Sequence, residues 1–300
     1  MNASANKGKG SESGNGVTHT ETTLNAGNNL NIVSGRDTTL TGAQLTGDKV
    51  TMNAGRNLTL SSEQDSDNYD SKQQNVSGGV SGGLGSASAS INLSRDKMHS
   101  TYDSVKEQTG IFAGKGGFDI TVGEHTQLNG GVLGSTAEAS NNRLDTGTLG
   151  FGNIENRAGY EVEHQSVGMS TGGNIGGQFV GNMASSLLVG VNGKGSDRST
   201  TQSAVSDGSI VIRDESKQRQ NVANLSRDVE HANQTLSPIF DKEKEQRRLR
   251  EAQKIGEIGS QVSDIARTQG DIRATNAGKA ELAEKRYYRT RERREARGLG

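Results

Sequence analysis

The segment TLNAGNNLNI at residues 23–32 recurs as TMNAGRNLTL at residues 51–60, an offset of 28 residues. A second echo relates residues 32–45 to residues 120–133 at an offset of 88, through aliphatic residues and glycines in matching positions. Each unit is a short strand of alternating aliphatic residues followed by a glycine turn. Short strands with regular turns are typical of a sandwich, a barrel or a β-solenoid, and the internal repetition favours the solenoid.

Composition supports a thin, repetitive fold. Of 300 residues, 42 are glycine, one is proline and none is cysteine, while 29% are hydrophobic and 3% aromatic. This apolar content is too low for the thick core of a compact enzyme of this length. Without cysteine, disulfides, cysteine-based zinc sites and cysteine nucleophiles are excluded. No apolar run reaches the length of a membrane-spanning helix, and the N-terminus lacks the apolar core of a signal peptide.

The character of the chain changes near residue 213. Residues 1–212 are rich in glycine and carry a net charge of −6, whereas residues 213–300 carry +5 and are dense in Glu, Arg, Lys, Gln and Ala. The first part therefore predicts a parallel β-helix with about seven coils over residues 1–155, stacked about 4.8 Å apart, and looser strands to residue 213. The second part predicts a separable, weakly stable helical unit. Its expected helices are 217–236, 241–268 and 271–296.

Two glycine-rich segments leave alternatives open. Residues 77–90, SGGVSGGLGSASAS, fit a flexible linker or a strand with small residues on both faces. Residues 168–195 alternate glycine with apolar residues, and their most apolar part is 183–191. A buried strand or short helix is favoured there over a segment that contacts a membrane.

The titratable residues suggest no catalytic constellation. The five histidines have no spacing typical of a metal pair, so we expect surface or turn positions for all of them. Candidates for calcium ligands lie in the acidic segment 63–70, but it departs from the EF-hand pattern and is expected to be a solvated turn. The histidines are His19, His99, His125, His164 and His231.

Two glycine loops and a basic tail complete the candidates. The loops at 110–116 and 193–196 lack the Walker spacing and are expected to be turns between strands. The tail at 285–297, with Tyr287 and Tyr288, could bind nucleic acid, although a solvated helix face is favoured. The sequence therefore predicts no enzyme activity and no catalytic, cofactor or metal site.

The same residues resemble a known family. Residues 25–60 resemble the repeats of filamentous haemagglutinin-type exoproteins of the two-partner secretion class. Three further stretches resemble contact-dependent growth inhibition exoproteins more narrowly, from their second haemagglutinin-repeat block into the pretoxin region. They are residues 95–133, 142–179 and 221–262.

The resemblance implies a virulence-associated exoprotein, secreted through an outer-membrane transporter and displayed as a β-helical filament. Such a protein contacts a neighbouring bacterium, at its outer membrane or a receptor there, and delivers a C-terminal toxin. On this basis we expect an internal fragment without its own signal peptide or toxin domain, whose role is target-cell binding and toxin translocation. A plain adhesin is the alternative, and a nucleic-acid-binding effector acting through the basic tail is less favoured.

These interpretations divide the chain into five expected parts. They are a disordered N-terminus at 1–19, a haemagglutinin-repeat β-helix at 20–155, a glycine-rich β region at 156–213, a helical pretoxin-like region at 214–284 and a basic tail at 285–300.

Overall fold

The structure, a computed structural model, describes residues 2–83, 86–174, 185–237, 240–251, 254, 269, 273, 276 and 279–281. These residues are mainly β, which confirms the predicted fold class at that level. The strands are β1 (Asn2–Val17), β2 (Thr22–Asn25), β3 (Asn29–Ser34), β4 (Thr38–Thr41), β5 (Ala43–Ala54), β6 (Asn57–Ser61), β7 (Asp65–Gly83), β8 (Ser86–Ser104), β9 (Gly110–Asn129), β10 (Val132–Ser135), β11 (Arg143–Gly152), β12 (Ile154–Asn174), β13 (Ser185–Thr201), β14 (Ala204–Val205) and β15 (Ser209–Ile212).

Ten of the described strands pair in parallel and form a stack of levels, where a level is a run of consecutive strands that pairs in parallel with the next such run. Level 1 contains β2–β4, level 2 β5 and β6, level 3 β9, level 4 β10 and β11, and level 5 β14 and β15. Leu40 pairs with Leu60 on the next level, an offset of 20 residues. Leu60 then pairs with Leu128, an offset of 68, because residues 62–109 leave the stack before the chain returns.

This register shows which positions in the stack the two sequence repeats relate. Met52 pairs with Ile32 below it and with Ile120 above it, so the 88-residue echo relates positions two levels apart. Residues 28 positions apart do not lie above one another in the stack. The 28-residue repeat instead relates a corner of one level to a different corner, the next one along the chain direction, on the following level. The predicted seven coils over residues 1–155 are wrong, because four levels occupy residues 22–152 and the remaining length forms other strands.

The core lies inside the stack and consists of aliphatic ladders. One ladder runs from Met52 of β5 through Ile120 of β9 to Leu144 of β11, and all three residues are at most 1% exposed. Parallel strands in register place equivalent side chains above one another, so each level buries its aliphatic residues against its neighbours. A narrow interior of this kind needs one or two aliphatic residues per strand, which explains the low apolar content.

One corner of the stack has room only for glycine. A Cβ on Gly55 would lie 2.2 Å from the carbonyl oxygen of Gly35 on the level below. A Cβ on Gly123 would lie 2.0 Å from the carbonyl oxygen of Gly55. Glycine therefore sets the distance of closest approach between successive levels at this corner.

The two segments that leave the stack form a second, antiparallel sheet. Residues 62–109 contain β7 and β8, and residues 153–203 contain β12 and β13. These strands pair with β1 in the order β1-β7-β8-β12-β13. Residues 77–83 lie in β7 and residues 86–90 lie in β8, so the strand alternative for residues 77–90 is confirmed there and the linker alternative is wrong. The short-helix alternative within residues 183–191 is also wrong for 185–191, which lie in β13.

The expected disordered N-terminus is wrong for residues 2–17. They form β1, which pairs antiparallel with β7 over sixteen consecutive residues, from Asn2 opposite Ser81 to Val17 opposite Ser66. Glycine, serine and lysine in β1 carry no apolar alternation, so the strand has no local signal. Its order depends on the hydrogen-bonding edge that β7 presents.

The predicted helix at 217–236 is wrong. This segment contains the short 3₁₀ turns Glu215–Lys217 and Val222–Asn224 and otherwise extended backbone. It lies across the end of level 5, where Leu225 enters the core of the stack and the backbone NH of Val205 donates to the carbonyl of Ser226. The expected separability of the C-terminal part is therefore wrong for this segment, because its apolar residues complete the stack.

Gln218 and Gln220 act as replacement strand partners at this end. The side-chain amide of Gln218 accepts from the backbone NH of Leu149 and donates to its carbonyl, at 2.8 and 2.7 Å. Gln220 makes the same pair of hydrogen bonds with Phe151. We call residues 213–236 the cap, because they satisfy backbone groups that another level would otherwise pair.

An α-helix follows the cap at residues 242–251, within the predicted helix 241–268. We call it α1. Described residues beyond it are helical at 254, 269, 273, 276 and 279–281. The remainder of the predicted helices 241–268 and 271–296, and the tail at 285–300, lie outside the described residues.

Replacing Gly123 by alanine is expected to destabilise the stack by more than about 3 kcal/mol, because the new methyl group meets backbone that cannot move without separating two levels. Gly35→Ala is the matched control, since no described atom lies within 4 Å of its Cβ position. The control should stay within about 0.5 kcal/mol of the parent protein. Urea unfolding followed by circular dichroism measures both, and equal effects would contradict the close approach at this corner.

Candidate functional site: the sheet of long hairpins

The base of the antiparallel sheet packs against α1. Tyr69, Met98 and Val162 lie on one face of the sheet and form a cluster with Leu249 of α1, each at most 8% exposed. The ring of Phe240 stacks on Tyr69 at 5.8 Å between centroids. Apolar contacts of this kind position α1 over the sheet and join the C-terminal segment to the hairpins.

Lys242 connects α1 to the N-terminal strand. Its ammonium group pairs with the Glu12 carboxylate and lies 4.6 Å from the centre of the Tyr69 ring. The Tyr69 hydroxyl donates to the same carboxylate at 2.9 Å. These two donors lower the pKa of Glu12, and the hydrogen bond to Glu12 raises the pKa of Lys242. β1, β7 and α1 therefore share one polar contact beside the aromatic cluster.

His164 is buried, so the expectation that all five histidines lie at the surface or in turns is wrong for this residue. Its side chain is 0% exposed, and Asp96 on the neighbouring strand accepts a hydrogen bond from its Nδ1 atom. Nε2 of His164 and Oε2 of Glu245 are both buried without a hydrogen bond in the described part of the chain. Arg248 approaches the same Glu245 oxygen at 3.6 Å. Alternation in β12 places His164 on the covered face, two residues from Val162.

The opposite face of the sheet becomes apolar toward the far end of the hairpins. Val76 of β7 lies opposite Leu93 of β8, and Leu93 lies opposite Val167 of β12, so the three form a row across the sheet. Val80 and Ile91 continue this surface, and they are 57% and 48% exposed. We call Val76, Val80, Ile91, Leu93 and Val167 the distal apolar surface.

The apolar side chains change from one face of the sheet to the other between the base of the hairpins and their far end. The face that carries Tyr69 and Met98 at the base continues outward with small polar residues such as Asn75 and Ser94, which pair with each other. The other face carries Lys97 and Glu163 near the base, joined by an ion pair at 3.6 Å, before it becomes apolar. The sequence signal was present as aliphatic residues spaced two or four apart within residues 76–93, but the surrounding glycine and serine obscured it.

The remaining histidines each have local partners. His19 contacts Asp65 at 3.2 Å and Glu63 at 3.3 Å where β1 leads into the stack. His125 contacts Thr148 within the stack, and the exposed His99 and His231 pair with Asp70 and Asp228. Each of these four histidines therefore pairs with its own local partner and serves the element in which it lies.

The acidic segment 63–70 does not converge on one point. Asp65 is buried against His19, whereas Asp70 pairs with His99 further along the hairpin. No group of three or more acidic or histidine side chains among the described residues has the geometry to hold a metal ion. Residues 65–70 of this segment form the start of β7, so the expected turn is wrong for them.

The glycine loops proposed as turns are also strand. Residues 110–116 lie within β9, and residues 193–196 lie within β13. A phosphate-binding loop needs a strand, a glycine turn and a helix N-terminus in succession, and neither segment leads into a helix. None of the described helices is long and apolar enough to cross a membrane.

Comparison with known proteins identifies the class. Residues 1–76 match the haemagglutinin repeat family. The chain is 62% identical over 279 residues to the 16S rRNA endonuclease CdiA of Enterobacter cloacae. This match covers 92% of the chain and 8% of that protein. It is 55% identical over 277 residues to the deoxyribonuclease CdiA of Yersinia pseudotuberculosis, covering 92% of the chain and 26% of that protein.

A third relative extends the match further along the chain. The tRNA nuclease CdiA of Escherichia coli is 53% identical over 296 residues, covering 98% of the chain and 9% of that protein. No solved structure matches. The chain thus corresponds to a segment of a haemagglutinin-repeat exoprotein. More narrowly, it is a segment of the CdiA type, which confirms the resemblance to contact-dependent growth inhibition proteins, and it spans between 8% and 26% of the length of these three relatives.

Shortening Leu249 to alanine is expected to lower the free energy of unfolding by about 2 kcal/mol, because it opens a cavity beneath α1. The adjacent and exposed Arg250 provides the matched control, and Arg250→Ala should change stability by less than about 0.5 kcal/mol. Urea unfolding followed by the near-ultraviolet circular dichroism of the tyrosines measures both. Equal losses would show that α1 does not pack on the hairpins.

Glu21 provides a test of the electrostatics where β1 enters the stack. Burial raises the pKa of Glu21, and the charges of Glu107 and Glu63 raise it further. The folded protein therefore binds this proton more tightly than the unfolded chain, so the stability contributed by the group is present at low pH and is lost as pH rises through the folded pKa.

Glu21→Gln is consequently expected to raise the free energy of unfolding at pH 7 by less than about 1 kcal/mol, with no gain at pH 3. Exposed Glu230 serves as the control, and Glu230→Gln should leave the pH profile unchanged. Thermal unfolding between pH 3 and 8 supplies the measurement. A gain in the free energy of unfolding that is equal at pH 3 and pH 8 would contradict the raised pKa of Glu21.

Proposed function

We propose that this chain is the target-cell contact and toxin-translocation segment of a secreted contact-dependent growth inhibition exoprotein, and that it has no enzyme activity of its own. The observation that carries the proposal is the identity of 51–62% to relatives named as CdiA toxins and nucleases over nearly the whole chain. Each of those names describes a protein several times longer, and within this proposal the nuclease activities lie in segments that the match does not reach.

The parallel stack supports the interpretation of levels 1–5 as a β-helix. Successive levels are in register, aliphatic ladders fill the interior, and three strand segments alternate with corners on level 1. Within this proposal the β-helix is the rigid support, and the hairpins are the part that reaches away from it. The helical pretoxin-like region is restricted to the part that begins with α1.

The distal apolar surface is the proposed contact region. It lies on strands that extend up to 21 residues, with its apolar residues in the half of each hairpin furthest from the stack. Contiguous exposed apolar residues typically mark contacts with a protein or a lipid surface. In the complete exoprotein, we infer that the partners are an outer-membrane two-partner secretion transporter during export and the outer membrane or a receptor of the target bacterium afterwards.

The localisation follows from the same proposal. The complete exoprotein is secreted and displayed at the bacterial surface, and no cofactor or small-molecule substrate is assigned to this segment. A plain adhesin of the haemagglutinin type is the alternative, and it shares the β-helix but requires no delivery step. The nucleic-acid-binding alternative rests on the tail at 285–300, which lies outside the described residues.

The test replaces Val76 and Leu93 together by threonine in a complete, displayed exoprotein. Threonine retains strand propensity but removes about 1 kcal/mol of apolar contact at each site, so inhibition of target cells should fall by about tenfold or more. The matched control replaces Asn75 and Ser94 by threonine, one residue along each strand and on the opposite face.

Display on the producing cell is measured in parallel by antibody labelling, and should be equal for both variants. Loss of inhibition with retained cell–cell attachment supports a role in toxin translocation. Loss of cell–cell attachment, measured where no delivered toxin is required, supports the adhesin. Full inhibition by the Val76 and Leu93 variant would contradict the assigned contact surface.

A further inference from the structure

The part of the antiparallel sheet furthest from the stack is built from uncharged residues. The hairpin segments 73–94 and 165–193 contain no Asp, Glu, Lys, Arg or His, and neither do residues 2–6 of β1. Arg95, the first charged residue after the first segment, lies opposite Gln165 at the start of the second. The charged residues therefore end at about the same row across neighbouring strands of the sheet.

Positively charged residues border the uncharged part on the face that carries the distal apolar surface. Lys9 of β1 and Arg95 of β8 lie on either side of β7, in the row next to the apolar one. Lys7 lies opposite Val76, at the edge of the apolar row itself, and Lys72 lies one row closer to the base. Side-chain alternation places all four on the same face as the distal apolar surface. We call Lys7, Lys9, Lys72 and Arg95 the cationic belt.

The described part of the chain does not neutralise the cationic belt. Its four side chains are exposed, and none of them forms an ion pair with a described carboxylate. Lys72 lies directly opposite Lys97, and like charges at opposite positions destabilise a sheet. Glu163, the acidic residue in this row, is already joined to Lys97 at 3.6 Å. The belt therefore presents uncompensated positive charge to whatever covers this face.

The opposite face of the sheet shows the contrasting arrangement in nearly the same rows. There Asp96 accepts a hydrogen bond from His164, and the Glu12 carboxylate pairs with Lys242 of α1. The chain itself covers that face with α1, and the charged groups beneath the helix have partners of their own. The uncovered face, with its unpaired cations, is therefore complementary to a partner that carries negative charge.

The order of apolar and cationic residues along the strands matches the order of groups at a lipid surface. Acyl chains lie deepest in such a surface and phosphate groups lie outside them, so a protein that contacts both carries apolar residues ahead of basic ones. Val80 and Ile91 lie furthest from the stack, Val76 and Leu93 follow, and the cationic belt borders them toward the base. This sequence of rows favours an anionic lipid surface over a protein partner.

We propose that this face of the sheet binds an anionic lipid surface, with the distal apolar surface against the acyl chains and the cationic belt on the lipid phosphates. The lipid assignment rests on the proposed function, because the same surface makes the contact, and it names the partner as lipid rather than protein. Each Lys or Arg of the belt is expected to strengthen binding to an anionic surface about fivefold.

The test measures binding of the purified full chain to lipid vesicles by co-sedimentation. Vesicles of phosphatidylcholine alone are compared with vesicles of phosphatidylcholine mixed with phosphatidylglycerol, which adds negative charge at the phosphate level. The parent protein should bind the anionic vesicles at least about tenfold more tightly, and added salt should reduce this difference. Equal binding to both kinds of vesicle, or binding to neither, would overturn the proposal.

Two double variants with the same change in net charge locate the effect. Lys9→Gln with Lys72→Gln should weaken binding to anionic vesicles by about tenfold or more, and should leave folding intact because it relieves the repulsion between Lys72 and Lys97. The matched control is Lys49→Gln with Lys115→Gln, two exposed lysines on the stack, and it should bind as the parent protein does. Circular dichroism verifies folding. Equal binding by the two double variants would overturn the proposal.

The proposed function fails or stands by a separate measurement, the inhibition of target cells by the displayed exoprotein with Val76 and Leu93 replaced by threonine. If that variant loses inhibition while the parent protein does not bind anionic vesicles, the contact surface stands and its partner is a protein. Binding to target cells that disappears when those cells are treated with protease would likewise overturn the lipid assignment.

Discussion

The close approach of successive levels at the glycine corner is the constraint on which the rest of the structure depends. Carbonyl oxygens at this corner lie where the Cβ atoms of Gly55 and Gly123 would be. Only with this spacing can the strands on either side form parallel ladders, and only in that register do the aliphatic residues lie above one another. The other apolar clusters among the described residues are much smaller than this core, so they cannot compensate for its loss.

The hairpins follow from where the chain leaves the stack. Residues 62 and 109 lie at the same corner as residues 153 and 203, and hydrogen bonds join them, including Thr109 to Ser62 and Ser203 to Asn153. Because both departures occur at one corner, the four long strands are adjacent and form one sheet with β1. The stack therefore determines which residues of the hairpins are covered by α1 and which form the distal apolar surface.

The parts of the fold that could be predicted are those with a local signal. Alternation at residues 58–60 and 119–122 identified strands, and the 88-residue echo identified positions that do share a ladder. The 28-residue repeat was more visible but described corner chemistry, because the same Asn-Ala-Gly turn serves two different corners. The number of residues between paired positions on adjacent levels depends on how many residues each level contains. Turn motifs carry no information about that number.

The parts that could not be predicted depend on partners distant in sequence. β1 has the composition of a disordered segment and is ordered by β7. β7 pairs in turn with β8, and β8 pairs with β12, so the sheet brings together residues far apart in the chain. The spacing of Val222, Leu225, Val229, Ala232 and Leu236 is that of a helix, yet Leu225 and Ala232 are buried by separate clusters of the stack. The His164–Asp96 pair is likewise a product of the register between β8 and β12.

Disulfide formation between levels tests the central claim most directly, since the chain contains no cysteine of its own. Thr59 pairs with Gln127 across levels 2 and 3, although 68 residues separate them. The double variant Thr59→Cys, Gln127→Cys should oxidise readily to an intramolecular disulfide, because neighbouring parallel strands bring the Cα atoms within the range that the bond requires. The comparison variant Asn31→Cys, Thr59→Cys follows the 28-residue repeat and should remain reduced. Cross-linking of the comparison pair with a reduced Thr59–Gln127 pair would contradict the register on which the whole account rests.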